Sequence, residues 1–168
     1  MKFYNMLARA DLKGSSKYPD IKGTVWFQDV PLGTNVCAYV KGLPPYQPAH
    51  DNEAPIGPFG FHLHEFGNCS IGDEENPFQD AGGHYNPTNE PHGNHAGDFP
   101  VLFSNAGISK MCFFTDKFHV EDIIQRSVII HENPDDYRSQ PAGDAGKRIA
   151  CGIVHSITPY NFYPIFFH

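Results

Sequence analysis

Ten histidines stand in this chain, and their placement is its strongest chemical signal. His62 and His64 flank Leu63 inside an apolar run. Strand side chains alternate, so residues two apart project from one face and two imidazoles there form the edge of a preset metal site. A satisfied core pair would give the same local pattern. His84, His92, His95 and Asp98 follow in a stretch rich in Gly and Pro that can fold around an ion. Three imidazoles and one carboxylate suit a four-coordinate Zn²⁺, whose nitrogen and oxygen ligands lie at about 2.0–2.2 Å; a polar, His-bearing surface loop is the plainer alternative. His131 closes the hydrophobic run Ser127-Val128-Ile129-Ile130, a position that by itself suits a core residue. Beside His62 and His64 it completes a set of the kind copper favours, since copper takes imidazole in planar or tetragonal arrangements.

Short runs rich in Val, Ile, Phe and Tyr, separated by turn residues, must position these groups, and that spacing predicts an antiparallel sandwich or barrel. Eight strands are expected, at Met6–Leu12, Gly23–Asp29, Asn35–Lys41, Phe59–Glu65, Phe99–Ser104, Lys110–Thr115, Ser127–His131 and Arg148–Val154. Two long connections, Phe66 to Asp98 and Glu132 to Lys147, hold most of the His, Asp and Gly. Connections of that length without regular structure are usually functional or disordered, and function is expected here. The segment Phe118–Ile124 suits a short turn or a strand equally.

The composition agrees with an all-β domain. The 168 residues suit one core, and the 16 Gly and 15 Pro predict many turns rather than long helices. A net charge of -7 with no Lys/Arg cluster argues against a nucleic-acid partner, and no run is apolar enough for a membrane span. No secretory leader is visible at the start, so the cytoplasm is the expected compartment, or an extracytoplasmic one if a leader has been removed. Cys37 and Cys112 lie in apolar strand-like runs and are expected as buried free thiols. Cys69 and Cys151 sit beside Gly-rich segments, where spacing alone leaves a disulfide open. Residues 155–168 form an aromatic tail, set apart from a domain spanning 1–154.

Several segments together resemble the copper/zinc superoxide dismutase family: Gly60-Phe61-His62-Leu63-His64-Glu65, Ala81-Gly82-Gly83-His84-Tyr85-Asn86-Pro87, His95-Ala96-Gly97-Asp98, Val128-Ile129-Ile130-His131-Glu132 and Gly146-Lys147-Arg148-Ile149-Ala150-Cys151-Gly152. The resemblance covers roughly Gly23 to Val154. It implies an eight-stranded antiparallel Greek-key β-sandwich or barrel, immunoglobulin-like, with two functional loops. It further implies copper at His62, His64, His84 and His131, zinc at His84, His92, His95 and Asp98, and therefore a bridging His84. Arg148 matches the family's active-site arginine, which attracts superoxide, and Asp135 matches a carboxylate that orients histidines of both metals, with Asp136 as a neighbouring substitute. Cys69 and Cys151 match the family's internal disulfide. His50, His119, His155 and His168 match no ligand position.

The activity implied is conversion of two superoxide anions and two protons to oxygen and hydrogen peroxide; the alternative is a copper-binding or copper-buffering relative with little turnover. The interval from His92 to His95 is shorter than in animal members, and the spacing from His64 to Cys69 is similar to that of bacterial ones. The second loop lacks the charged extension that guides substrate in animal enzymes, which leaves Arg148, with Arg138 or Lys147, to attract the anion. Family members pair through different surfaces, so a homodimer stays open.

Overall fold

The computed structural model describes residues 6–51, 53 and 55–158. Its main feature is an antiparallel sheet of seven strands: β1 (Leu7–Gly14), β2 (Lys22–Val30), β3 (Gly33–Lys41), β4 (Phe61–His64), β7 (Ile108–Thr115), β8 (Ser127–His131) and β9 (Arg148–Ile157). A two-stranded hairpin, β5 (Gly72–Asp73) and β6 (Asn76–Pro77), stands apart. The order β4-β8-β9-β1-β2-β3-β7 makes the β3–β4 and β7–β8 connections cross from one edge to the other, as in a Greek key. The sheet curls on itself and closes over one core, giving the all-β sandwich expected from the sequence.

Alternation builds that core. Ala8, Ala10 and Leu12 of β1, Val25 and Phe27 of β2, and Val36, Ala38 and Val40 of β3 all point inward. Phe61 and Leu63 of β4 do the same, which turns His62 and His64 to the opposite face. Phe27, Phe59, Phe61 and Phe99 are fully buried, each contributing about 1.5–3 kcal/mol by leaving water. The rings of Phe61 and Phe99 pack 5.2 Å apart, and their chain neighbours His62 and Asp98 form a backbone bridge. The apolar contact thus sets the spacing of two polar groups on the outer side.

Some elements differ from the sequence reading. Phe99–Ser104 is not a strand: it touches Phe59 and Phe61 through separate backbone hydrogen bonds, at Phe99 and Leu102. Pro100 has no N–H to donate, so a continuous ladder cannot form. The Phe66–Asp98 connection carries the β5–β6 hairpin and a single 3₁₀ turn at Gln79–Ala81, so it is not free of regular structure. Val120–Ile123 is one helical turn, capped where the His119 N–H donates to Asp122. β9 runs on to Ile157 by pairing with β1, so a boundary at 154 falls inside the last strand; residues 159–168, with most of the aromatic tail and His168, lie outside the described residues.

The expectation of free thiols at Cys37 and Cys112 is overturned. β3 and β7 pair so that Cys37 stands directly opposite Cys112, and the two form a disulfide; reading each run separately could not show that the strands are neighbours. Cys112 is exposed, because this is the solvent face of the sheet. Cys69 and Cys151 form a second disulfide, packed with Ile71, Phe78, Ala81 and Ile129. Thiol–disulfide exchange requires access to sulfur. A mild thiol reductant is therefore expected to open Cys37–Cys112 well before Cys69–Cys151, as read by alkylation and peptide mass mapping; simultaneous opening would contradict this.

Candidate metal centre

The outer faces of β4 and β8 carry the site. Both strands are buried on both faces, because the two long loops cover what the core does not. The first loop pairs with the free edge of β4: Leu63 N–H donates to Gly97 C=O, Tyr85 N–H to Leu63 C=O and Glu65 N–H to Gly83 C=O. This lays His84 beside His64 and Asp98 beside His62. A bulge between Ile130 and His131 sets His131 opposite Arg148 of β9.

Two ligand sets result. His62, His64, His84 and His131 each offer a ring nitrogen, all within 4.8 Å of one another, and so do His84, His92 and His95 with a carboxylate oxygen of Asp98. His84 belongs to both. Its Nδ1 lies 2.9 Å from Asp98 Oδ1, while its Nε2 is buried with no hydrogen-bond partner.

The outer nitrogens explain how each ring is aimed. His64 Nδ1 is 3.0 Å from Gly82 C=O and His131 Nδ1 is 3.2 Å from Gly146 C=O, so each donates there and turns Nε2 inward. Those two inward nitrogens face each other at 3.2 Å. Asp135 holds His62 Nε2 at 2.6 Å with one oxygen and His92 Nε2 at 2.9 Å with the other, leaving Nδ1 of each ring free. Gly143 packs against this pair with φ of 67°, and a Cβ there would meet Asp135 Oδ1 at 1.9 Å, so no larger residue fits. Asp136 turns away and accepts from Arg138 and Ser139 instead.

A metal fits these groups. The buried side-chain nitrogens without a partner among the described residues are His62 Nδ1, His84 Nε2, His92 Nδ1 and His95 Nδ1, all members of the two sets. A buried polar atom left unpaired is costly, and a cation bound in each set would give these lone pairs a partner. His92 Nδ1 and His95 Nδ1 also lie 3.2 and 3.3 Å from Asp98 oxygens without hydrogen-bonding geometry, as ligands around one ion do.

Electrostatics keep the rings of His62, His64 and His131 neutral. Burial first, then neighbouring histidines, holds His62 and His64 well below the usual histidine range. Burial, with His84 and Arg148, pushes His131 down to about 3. Neutral imidazole is the form that binds metal. The unfolded chain takes up protons near pH 6.5 and the folded one does not, so this contribution is complete above that value and is lost as pH falls toward 3. The metal-free protein is expected to melt at progressively lower temperature as pH is taken from about 7 to about 4; a pH-independent midpoint would show that these rings are not held neutral.

Arg148 sits beside the first set. Its guanidinium donates to Phe78 C=O at 2.5 Å and to Gly82 C=O at 2.6 Å. No carboxylate among the described residues pairs with it, whereas Lys147 lies 3.4 Å from Glu75 and Lys17 lies 3.6 Å from Glu132. Tyr18 hydroxyl also donates to Glu132. Arg148 is therefore the cation in this cleft whose charge is not offset. The sequence reading named the rings and Arg148 but not the carbonyls that aim them, Gly82 and Gly146 for the rings and Phe78 with Gly82 for the guanidinium, because a backbone acceptor has no residue signature. His50, His119 and His155 stand apart from both sets.

Fold and site define a β-sandwich with two adjoining clusters of potential metal ligands that have one histidine, His84, in common. Residues 21–154 match the family model described as copper/zinc superoxide dismutase. The chain is 32% identical over 166 residues to a Cu-Zn superoxide dismutase of Deinococcus radiodurans, covering 89% of this chain and 84% of that protein. It is 33% identical over 155 residues to an extracellular Cu-Zn superoxide dismutase of Brugia pahangi, covering 80% and 69%. A solved Cu/Zn superoxide dismutase from Brucella abortus superposes with a TM-score of 0.70 at 29% identity, over 88% of this chain and 98% of that one. The chain belongs to the copper/zinc superoxide dismutase family.

Proposed function

We propose that this chain is a superoxide dismutase whose copper is held by His62, His64, His84 and His131 and whose zinc is held by His84, His92, His95 and Asp98. Family membership carries the reaction, in which two superoxide anions and two protons give oxygen and hydrogen peroxide, and it carries copper and zinc as cofactors. The observation that supports the residue assignment is the ring of His84, which belongs to both sets, with Nδ1 at Asp98 and Nε2 buried without a partner.

When bound, copper supplies one-electron redox chemistry and zinc a fixed charge without redox activity. Arg148 draws the anion toward His64 and His131 and orients it, a role suited to a permanently charged, planar donor. His84 Nε2 takes up a proton during one half of the cycle and releases it during the other. Asp135 keeps the rings of His62 and His92 aimed inward throughout. The copper-buffering reading is not favoured, since the four-ring set is complete and Arg148 stands beside it.

Loaded protein should hold one copper and one zinc per chain by elemental analysis and should remove superoxide, with activity lost on withdrawal of copper alone. A chain that takes up a single metal, or whose activity survives loss of copper, would refute the assignment. The compartment we propose is an oxidising one rather than the cytoplasm, supported by the two disulfides and by the name of the Brugia relative. No helix among the described residues is long and apolar enough to cross a membrane.

A further inference from the structure

Between His92 and His95 lie only Gly93 and Asn94, and this short link is gripped from two sides. On one side Lys117, just beyond β7, donates from Nζ to Asn94 C=O at 2.7 Å and to Asn94 Oδ1 at 2.5 Å. On the other side stands Gln140 of the second loop. Its Oε1 accepts from His92 N–H at 2.9 Å and its Nε2 donates to His92 C=O at 3.2 Å. A primary amide offers one acceptor and one donor on neighbouring atoms, matching the peptide groups of a single residue. Gln140 thus does for His92 what an adjoining strand would do. The same loop reaches the ring of His92 through Asp135, and it packs so closely that a Cβ on Gly93 would come within 2.4 Å of Tyr137 C=O.

We infer that Gln140 is a positioning residue for the zinc site: by holding both peptide groups of His92 it fixes where Nδ1 of that ring points. The inference rests on the zinc assignment made above. Asp135 alone leaves the ring free to tilt about its Nε2 contact; fixing the backbone as well removes that freedom. The side chain is exposed and takes no part in the core, so its loss acts on the loop rather than on the fold.

The test is Gln140→Met, which keeps the length of the side chain and removes donor and acceptor together. Zinc release from the copper- and zinc-loaded protein to a chromophoric chelator is expected to be about tenfold faster than in the parent, the lower end of the effect of losing a group that orients a ligand. Cobalt placed in the zinc position should show an altered visible spectrum, while the copper electron paramagnetic resonance spectrum stays unchanged. Equal zinc release with an identical cobalt spectrum would overturn the inference and leave the zinc assignment standing. So would an equal disturbance of both metals accompanied by a lower melting temperature, which would mark a general structural role. Parent protein that holds no zinc would overturn both readings. If the methionine variant does not accumulate, Gln140→Asn, one methylene too short to span both groups, is read in the same way.

Discussion

Replacing His131 with alanine is expected to lower superoxide removal by more than about a hundredfold, because loss of a group that merely orients a ligand already costs about 10–100-fold, and loss of a ligand must exceed that. His131 is the member of the proposed copper set that β8 supplies, and its Nε2 faces His64 Nε2 at 3.2 Å. Removing it leaves His62, His64 and His84, all from β4 and the loop beside it, with one side open. The zinc set contains no His131, so zinc content should stay near one per chain while copper binding weakens. Elemental analysis and the initial rate of superoxide loss, measured on the same sample, check both halves. Equal rates in variant and parent would exclude copper chemistry at this position.

Asp135→Ala is expected to have the next largest effect, and on both metals together. One carboxylate holds His62, of the proposed copper set, and His92, of the proposed zinc set, so both rings lose their outer partner in a single substitution. Affinity for each ion should fall about 10–100-fold, read by chelator competition for zinc and copper separately. The neighbouring Asp136→Ala is the control: that carboxylate binds Ser139 and the backbone of its own turn, and it should leave both affinities unchanged. A loss confined to one metal would show that Asp135 does not join the two sets.

How much of this was legible in the sequence depends on the distance over which each signal acts. The alternation around Leu63 placed His62 and His64 on one face because the period of a strand is a local property. The clustering of His84, His92, His95 and Asp98 was legible because a single stretch of one connection contains them all. Phe99–Ser104 looked like a strand from its apolar residues, and Pro100 broke the ladder despite them. Cys37 and Cys112 were misread for the opposite reason: their bond depends on β3 and β7 being neighbours in register, which neither run reveals. Gln140 and Lys117 carried no signal, since an amide or an ammonium that grips a peptide group resembles any other surface polar residue.

Gly82 C=O is shared: it accepts from the ring of His64 and from the guanidinium of Arg148. In the assignment proposed above, a single oxygen atom is therefore the common reference point for one copper ligand and for the cation that would receive the anion. His64 is mounted on β4 and Arg148 on β9, so a shift of the turn at Gln79–Gly82 would disturb both contacts at once.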